Sequence, residues 1–220
     1  MIGTRTPFRV SFIGGGSDLK EFYSITNGCV ISTTIDKYMY LFIHQYFDNK
    51  IQVKYSKTEL VNNISEVKHP IVKEVLKRFS VNSIDINSIA DVPAGTGLGS
   101  SSSYAVGLLH AFYAYKNTYV SSEQLAREAC EIEIDILKKP MGKQDQYLAA
   151  FGGFLILDIQ QDGLVKVSNA QIPVTTLDDL KRNLLMFYTG KKRQTREILD
   201  EQDKATKRSE KQVLESLHYI

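Results

Sequence analysis

The strongest pattern in this sequence is Pro93-Ala94-Gly95-Thr96-Gly97-Leu98-Gly99-Ser100-Ser101-Ser102-Ser103. Residues 84–89 before it alternate apolar with polar side chains, as in a half-buried strand. Residues 104–115 after it are small or apolar on nearly every face, as in a buried helix. Glycines at alternate positions let the backbone come close to a ligand, because no side chain stands in the way. The serines would open the helix, whose first N–H groups have no internal acceptor and lie at the positive end of the helix dipole. The pattern therefore predicts a loop that binds phosphate.

Two other interpretations of this segment are a flexible linker and a tight turn, but its place between a strand and a buried helix favours the binding loop. It is not a Walker loop, because no Gly-Lys-Ser/Thr follows at the required spacing. It is not a dinucleotide fingerprint either, since that requires Gly-x-Gly-x-x-Gly in a parallel strand–helix–strand unit. Serine hydroxyls are hard oxygen ligands of the kind that Mg²⁺ prefers, so the loop is compatible with a metal-bound phosphate.

Length and composition bound the class of protein. The 220 residues are enough for one sizeable core or two modest lobes, and 43% hydrophobic with 24% charged residues is ordinary for a soluble globular chain. The 27 basic and 25 acidic side chains leave a net charge of +2, which gives no electrostatic case for nucleic acid as a partner. With only Cys29 and Cys130, no disulfide framework is indicated, and no apolar run approaches the roughly 20 residues that span a bilayer. We therefore expect a cytoplasmic protein without a membrane partner.

The rest of the sequence mixes strands and helices without a regular alternation. Residues 29–47 are rich in β-branched and aromatic side chains and predict one long strand or a hairpin. Further strands are predicted over residues 9–13, 51–55, 152–159 and 184–189, and further helices over residues 70–79, from 121 to about 137, and from 195 onward. This order of elements indicates an α+β fold.

A second segment that carries chemistry is Arg5-Thr6-Pro7-Phe8-Arg9-Val10-Ser11-Phe12-Ile13-Gly14-Gly15-Gly16-Ser17-Asp18. A strand here would end in a glycine turn, with Arg9 before the turn and Asp18 after it. An arginine can stabilise the charge of a transferred phosphate, and a carboxylate is a good hydrogen-bond acceptor for a diol. The alternative is a strand that ends in a hairpin turn, with Asp18 as a helix cap.

Two acidic positions add further candidates. A carboxylate at Glu133 that faced the serines would complete a Mg²⁺ site, and a carboxylate at Asp145 could take a proton from an acceptor hydroxyl. Lys143, close to Asp145 in sequence, could lower the pKa of that carboxylate or contact a phosphate. Glu131 competes with Glu133 for the metal role, and a solvated helix face remains an alternative for either. Asp145 could instead cap a helix.

Residues 93–101 resemble the Pro-x-x-x-Gly-Leu-Gly-Ser-Ser hallmark of the GHMP kinase superfamily, which includes galactokinase, homoserine kinase, mevalonate kinase and phosphomevalonate kinase. The resemblance implies an N-terminal domain like domain 2 of ribosomal protein S5 over residues 1–174. It also implies the start of a ferredoxin-like C-terminal domain over residues 175–220, although the glycine-rich third motif of the superfamily does not occur after residue 190. ATP and Mg²⁺ are the ligands that such a domain would bind.

The resemblance also assigns roles to residues. Asp145 would act as the base, and Arg9 would lie near the nucleophilic hydroxyl. Ser101 and Glu133 would hold Mg²⁺. The residues that would bind ATP are Pro93, Gly95, Gly97, Leu98, Gly99, Ser100, Ser101 and Ser102. The residues that would bind the sugar are Gly15, Gly16, Ser17, Asp18, Lys143 and Arg193.

Within the superfamily, residues 5–18 and 188–199 most resemble kinases of D-glycero-D-manno-heptose 7-phosphate. Such kinases transfer the γ-phosphoryl group of ATP to the anomeric hydroxyl, toward nucleotide-activated heptose for bacterial surface polysaccharide. Four basic residues lie within 191–196, Arg193 among them, and they could bind a phosphate already on the substrate. A solvated basic patch is an equal alternative from charge alone. Another sugar 1-kinase, such as L-fucose kinase, and a non-catalytic sugar or nucleotide sensor are the competing functions.

Overall fold

The computed structural model describes residues 1–190, which form one mixed sheet with packed helices and confirm the α+β prediction. The strands of this part of the chain are β1 (Ile2–Ile13), β2 (Gly28–His44), β3 (Ile51–Lys54), β4 (Thr58–Val61), β5 (Ile84–Ala90), β6 (Phe154–Ile159) and β7 (Val165–Asn169). The α-helices are α1 (Lys20–Tyr23), α2 (Pro70–Phe79), α3 (Ser100–Tyr115), α4 (Ser122–Cys130), α5 (Gln144–Phe151) and α6 (Val174–Asn183). A 3₁₀ turn covers Ile64–Glu66, and a π-helical segment, Glu131–Ile136, continues α4.

The sheet is organised around β2, which is one long strand rather than a hairpin. β1 pairs with it antiparallel from Ile2↔Ile43 to Ile13↔Ile31. Residues 39–44 of β2 also pair with β5, and residues 28–33 pair with β6. Strands β3 and β5 run parallel, whereas the other pairings among residues 1–190 are antiparallel. This topology differs from a regular strand–helix–strand alternation, as the sequence predicted.

Helix α3 is buried against β1 and β2, so the helix that follows the loop lies at the centre of the fold. The close approach depends on Gly107, where a Cβ atom would come within 2.6 Å of Thr6 Oγ1 and 3.1 Å of Leu41 Cδ1. The helix begins at Ser100, and Ser102 and Ser103 are already buried. The loop at residues 93–99 is therefore held on the end of a helix that the core fixes in place.

The structure confirms several predicted elements and revises others. The bounds of α2 are those predicted, and His69 Nδ1 accepts a hydrogen bond from Val72 N at its start. β1 begins earlier than residue 9, because residues 2–7 pair with residues 38–43 of β2. Strands β4 and β7 were not predicted, since each is short and owes its existence to a partner strand.

The region after β7 holds α6 and then an irregular, exposed stretch over residues 184–190. The strand predicted over residues 184–189 is therefore wrong, because the described part of the chain offers it no partner strand. The helix predicted from residue 195 lies outside the described residues. The division into domains at residues 174 and 175 stays a prediction, although α6 begins at this point. Within residues 1–190, no helix is both long and apolar enough to cross a membrane.

Candidate active site

The phosphate-binding loop predicted from the sequence adopts a backbone that needs its glycines. Gly95, Gly97 and Gly99 have φ angles of +82°, +76° and +75°, a region that residues with side chains rarely occupy. Gly99 is the N-cap of α3, so the free N–H groups of the helix start there. The loop is tied to β1 by the hydrogen bond from Arg9 N to Leu98 O, 3.1 Å long.

Arg9 and Asp145 form an ion pair directly beside this loop. Arg9 Nε and Nη2 lie 2.7 and 2.6 Å from Asp145 Oδ1, and Arg9 Nη1 also donates to Gly97 O. A Cβ atom on Gly99 would lie 3.4 Å from Asp145 Cγ and 3.5 Å from Oδ2. The structure therefore brings together three residues that are far apart in sequence and that the sequence analysis singled out.

Burial raises the pKa of Asp145, and the nearby carboxylates of Asp18 and Glu133 act in the same direction. The guanidinium of Arg9 opposes them and lowers the pKa. The side chain of Asp145 is nevertheless 15% exposed, on the wall of a cavity. A carboxylate whose proton affinity is raised and which can be reached from a cavity is suited to accept a proton.

Asp18 joins the glycine turn to the start of α5. Its Oδ1 accepts a hydrogen bond from Gly16 N at 3.1 Å, and its Oδ2 accepts one from Gln144 N at 3.0 Å. Burial raises the pKa of this carboxyl as well. The approach is possible only because Gly142 has no side chain, since a Cβ atom there would lie 1.9 Å from Asp18 Oδ2. Asp18 thus positions the segment that carries Asp145, and it also lines the same cavity as Gly15 and Gly16.

Ser17, predicted to bind the sugar, is not among the residues that line this cavity. Its side chain is buried, and its hydroxyl can donate to Gly14 O at 2.8 Å or to Cys29 O at 2.9 Å, while it accepts from Cys29 N. The hydroxyl therefore connects the glycine turn to the start of β2, and a role in sugar binding stays a prediction.

Glu133 lies at the other side of the loop, fully buried at 0% exposure of its side chain. Its Oε1 accepts from Ser101 Oγ at 2.6 Å and from Lys139 Nζ at 2.7 Å. Its Oε2 accepts from Ser102 Oγ at 2.6 Å and from Gln146 Nε2 at 2.8 Å. We call these five residues, Ser101, Ser102, Glu133, Lys139 and Gln146, the Glu133 cluster.

Glu131, the competitor considered for the metal role, points elsewhere and pairs with Arg78 at the surface. Both residues lie on the π-helical segment Glu131–Ile136, and such segments are frequent at functional sites. Glu133, not Glu131, therefore faces the serines of the loop.

The chemistry of the Glu133 cluster fits Mg²⁺. Ser101 Oγ and Glu133 Oε1 are hard oxygen donors that already share one cationic partner, the Lys139 ammonium. Among residues 1–190 no group of three or more His, Cys, Asp or Glu side chains could hold a metal by itself. A cation here would need further oxygens, and nucleotide phosphates with waters are the usual source for Mg²⁺.

Lys143, which was predicted to bind the substrate, does not line the cavity that Asp145 lines. Lys143 Nζ donates to Gly163 O at 2.5 Å and lies over the ring of Tyr23, 5.0 Å from its centroid. Residues two apart at the start of a helix do not face each other, so Lys143 points away from Asp145 into a different cavity. Arg193 lies outside the described residues.

Two cavities meet at the phosphate-binding loop. The first, about 710 Å³, is lined by Arg9, Asp18 and Asp145, and the second, about 850 Å³, by Tyr55, His69 and Tyr104. The residues that line both are Pro70, Gly95, Ser100, Ser101 and Lys139. A ligand with a phosphate chain could therefore lie across the loop with one end in each cavity.

Three residues of this region were not predicted from the sequence. Lys139 and Gln146 complete the Glu133 cluster, and the hydroxyl of Tyr104 is buried without a hydrogen-bond partner among residues 1–190. Lys139 and Gln146 lie next to segments that were recognised, but nothing in their spacing indicates that they would converge on Glu133. Tyr104 was recognised only as part of a buried helix, which it is.

The comparison with known proteins finds one family model that matches the part of the chain that holds this site. Residues 65–153, which include the loop, Glu133 and Asp145, match the family described as GHMP kinases N terminal domain. Residues 65–153 are therefore similar to the GHMP kinase N-terminal domain, the superfamily that the loop motif resembles.

Among individual proteins, the chain is similar to the D-glycero-alpha-D-manno-heptose 7-phosphate kinase of Campylobacter jejuni, with 29% identity over 100% of the chain and 68% of that protein. It is 26% identical to the galactokinase of Pyrococcus furiosus, over 88% of the chain and 54% of that protein. A crystal structure of a D-glycero-D-manno-heptose 1-phosphate kinase from Bacteroides thetaiotaomicron superposes with a TM-score of 0.79 at 25% identity, covering 99% of the chain and 76% of that structure. The chain thus spans about half to two thirds of the length of these curated relatives.

Proposed function

We propose that this chain is the nucleotide- and acceptor-binding part of an ATP-dependent sugar kinase. Its substrate is D-glycero-D-manno-heptose 7-phosphate, and its product is heptose 1,7-bisphosphate. One observation carries the proposal: the Arg9–Asp145 pair lies against Gly99 of the phosphate-binding loop, in a cavity large enough for a sugar. A base, a cation and a phosphate site in contact are the parts that phosphoryl transfer needs.

The geometry of the loop supports the proposal that the chain binds ATP. The N–H groups at the start of α3 are suited to hold the phosphates, and the glycines of the loop leave room for them. The base and ribose have a place in the second cavity, beside His69 and Tyr104. Mg²⁺, held by Ser101 and Glu133, would neutralise phosphate charge when it is bound.

The transfer step uses Asp145 and Arg9. Asp145 orients the acceptor hydroxyl and takes its proton while the hydroxyl oxygen forms a bond to the γ-phosphorus. The bond from that phosphorus to the bridging oxygen of ADP breaks at the same time, and ADP leaves with the electron pair. Arg9 stabilises the negative charge on the phosphoryl group as it passes from ADP to the acceptor oxygen, because its guanidinium lies against both Asp145 and Gly97.

The choice of heptose 7-phosphate is supported by the relative from Campylobacter jejuni, which is named for that substrate and matches the whole chain. The relative from Bacteroides thetaiotaomicron is named as a heptose 1-phosphate kinase, so the two names differ in the phosphorylated substrate. We favour the 7-phosphate, since the basic residues within 191–196 could bind a phosphate remote from the anomeric carbon. The position of Asp145 beside the loop and the cavity favours a kinase over a sensor, because binding alone does not require a base.

A substrate panel tests this proposal. The chain is incubated with Mg·ATP and, separately, heptose 7-phosphate, heptose 1-phosphate, L-fucose and galactose, and ADP release is followed. We expect turnover with heptose 7-phosphate and, by ³¹P NMR, a new phosphate on the anomeric carbon. Turnover with L-fucose or galactose alone would make the chain a different sugar kinase, and ATP binding without any turnover would support the sensor. In an active chain, Arg193→Ala should raise KM for the sugar phosphate more than KM for ATP.

A further inference from the structure

The ammonium group of Lys139 stands between the two oxygens that would hold the metal. Its Nζ lies 2.7 Å from Ser101 Oγ and 2.7 Å from Glu133 Oε1, and these two oxygens are themselves 2.6 Å apart. The three atoms form a nearly equilateral triangle. A cation that bridged the same pair of oxygens would have to occupy the space that Lys139 Nζ fills.

The charges of the cluster explain why Lys139 is there. Glu133 is fully buried, and its other donors, from Ser101, Ser102 and Gln146, are neutral. A buried carboxylate without a cation is costly, so the ammonium stabilises the folded chain. Arg9, the other cation of the site, is engaged by Asp145.

The side chain of Lys139 also has room to move, although its backbone is held in place. Its backbone is fixed, because Lys139 N donates to Glu133 O at 3.0 Å. Its side chain is 29% exposed and lines both cavities at the loop. The ammonium group sits at the end of a flexible chain of four carbons. The ammonium can therefore leave Glu133 and still remain beside any phosphate group bound across the loop.

We propose that Lys139 competes with the divalent cation for Ser101 and Glu133 and gives way only when nucleotide phosphates arrive. Two cations at the same two oxygens repel each other strongly, so their binding is mutually exclusive. Phosphates remove the conflict, because they supply oxygens to the metal and a new anionic partner to Lys139. The chain thereby takes up the metal together with the nucleotide rather than before it. This second part rests on the proposed binding of ATP.

Mn²⁺ binding to the 220-residue chain tests the competition without any turnover. The free Mn²⁺ signal is measured by electron paramagnetic resonance for wild type, Lys139→Met and Lys139→Gln, in the absence of nucleotide. We expect both variants to bind Mn²⁺ about tenfold more tightly. A tenfold change corresponds to the interaction energy that shifts a pKa by about one unit, which is a common effect of one nearby charge. Lys138→Met removes the same charge from a neighbouring exposed residue and should change the affinity less than about twofold.

Two outcomes would overturn the proposal. One is equal or weaker Mn²⁺ binding in a Lys139→Gln variant that keeps its cooperative thermal unfolding; this variant retains an N–H donor for Glu133 and so guards against loss of the fold. The other is a tenfold gain that persists unchanged when ATP is added, since Lys139 would then not have moved to the phosphates. We expect the gain to vanish or reverse with ATP.

The result is separable from the proposed kinase activity. Sugar phosphorylation by wild type without any Mn²⁺ gain in the two Lys139 variants would reject the competition alone. A Mn²⁺ gain in a chain that phosphorylates no sugar would reject the kinase and leave the competition in place.

Discussion

Asp145 and Glu133 are two carboxylates that reach the same loop, each paired with one cation, but their surroundings differ. Glu133 is fully buried and accepts hydrogen bonds from four side chains, two to each oxygen. Asp145 is 15% exposed, and within residues 1–190 only Arg9 binds its side chain, at Oδ1. Oδ2 of Asp145 lies beside Gly99 and the cavity. The contrast teaches that the saturated carboxylate stabilises the fold, whereas the carboxylate with an open oxygen can accept a proton.

Apart from Asp145 itself, the largest effect on this contrast is expected from Arg9, the cation that pairs with Asp145. Arg9→Met should lower kcat by about 10²–10³-fold, because it removes the charge that stabilises the transferring group. Arg9→Lys keeps the positive charge but loses the planar guanidinium group that reaches both Asp145 and Gly97. Its kcat should therefore fall less than that of Arg9→Met. Steady-state kinetics with heptose 7-phosphate measure both. An Arg9→Met variant with wild-type kcat would remove Arg9 from the mechanism.

Glu133 should affect stability more than its surface neighbour does. Glu133→Gln should lower the free energy of unfolding by about 2–4 kcal/mol, because an amide cannot accept from all four donors and leaves Lys139 without its anion. Glu131→Gln, the same change on the same π-helical turn, should cost less than about 0.5 kcal/mol. Urea unfolding of the two variants checks this. Equal losses would contradict the account of a saturated, structural carboxylate.

Gly142 and Gly15 line the same cavity, and substitutions at these two positions test the role of Asp18. Gly142→Ala should destabilise the fold by about 1–3 kcal/mol and lower kcat, because its Cβ would lie 1.9 Å from Asp18 Oδ2 and push the Asp145 segment away. Gly15→Ala meets nothing closer than 3.7 Å, at Gln144 Nε2, and should be milder for stability. Thermal unfolding compares them, and a harmless Gly142→Ala would show that Asp18 does not set the position of α5.

The smallest expected effect is a displacement of the pH dependence of kcat. Asp145 must be ionised to accept a proton, so kcat falls as the pH drops through its pKa, and burial places that pKa above the ordinary 3.8. Because Arg9 lowers the pKa, Arg9→Met should move the acidic limb to higher pH, whereas Arg9→Lys should move it less. The profile is recorded from mildly acidic to neutral pH. A limb that stays in place in Arg9→Met would mean that another group controls it.

Local patterns predicted the elements whose residues carry their own signal. The helix at residues 70–79, the long strand after residue 28 and the buried helix after Ser100 all follow from periodicity and composition. Strands β4 and β7 were not predicted in this way, because each forms by pairing with another strand. The stretch that begins at Leu184 has the composition of a strand but no partner strand in the described structure.

Only the parts of the site that belong to recognisable sequence motifs could be predicted from the sequence. Arg9, Asp145 and the loop were each recognised, and the fold brings them together as their motifs suggested. Lys143 was singled out because it is close to Asp145 in sequence, whereas the lysine that lies beside the loop is Lys139. Spacing along a chain gives no direction for a side chain outside a regular element, so the position of Lys139 could not be predicted from the sequence.

The most direct measurement is a pair of assays on Asp145→Asn: the Kd of Mg·ATP by titration calorimetry and the rate of phosphoryl transfer to heptose 7-phosphate in a single turnover. The variant keeps the size of the side chain and removes its ability to take a proton. We predict a Kd within about threefold of wild type, because the loop and the Glu133 cluster are untouched, and a transfer rate lower by about 10³-fold. Transfer at the wild-type rate by Asp145→Asn would contradict the role of this carboxylate as the base.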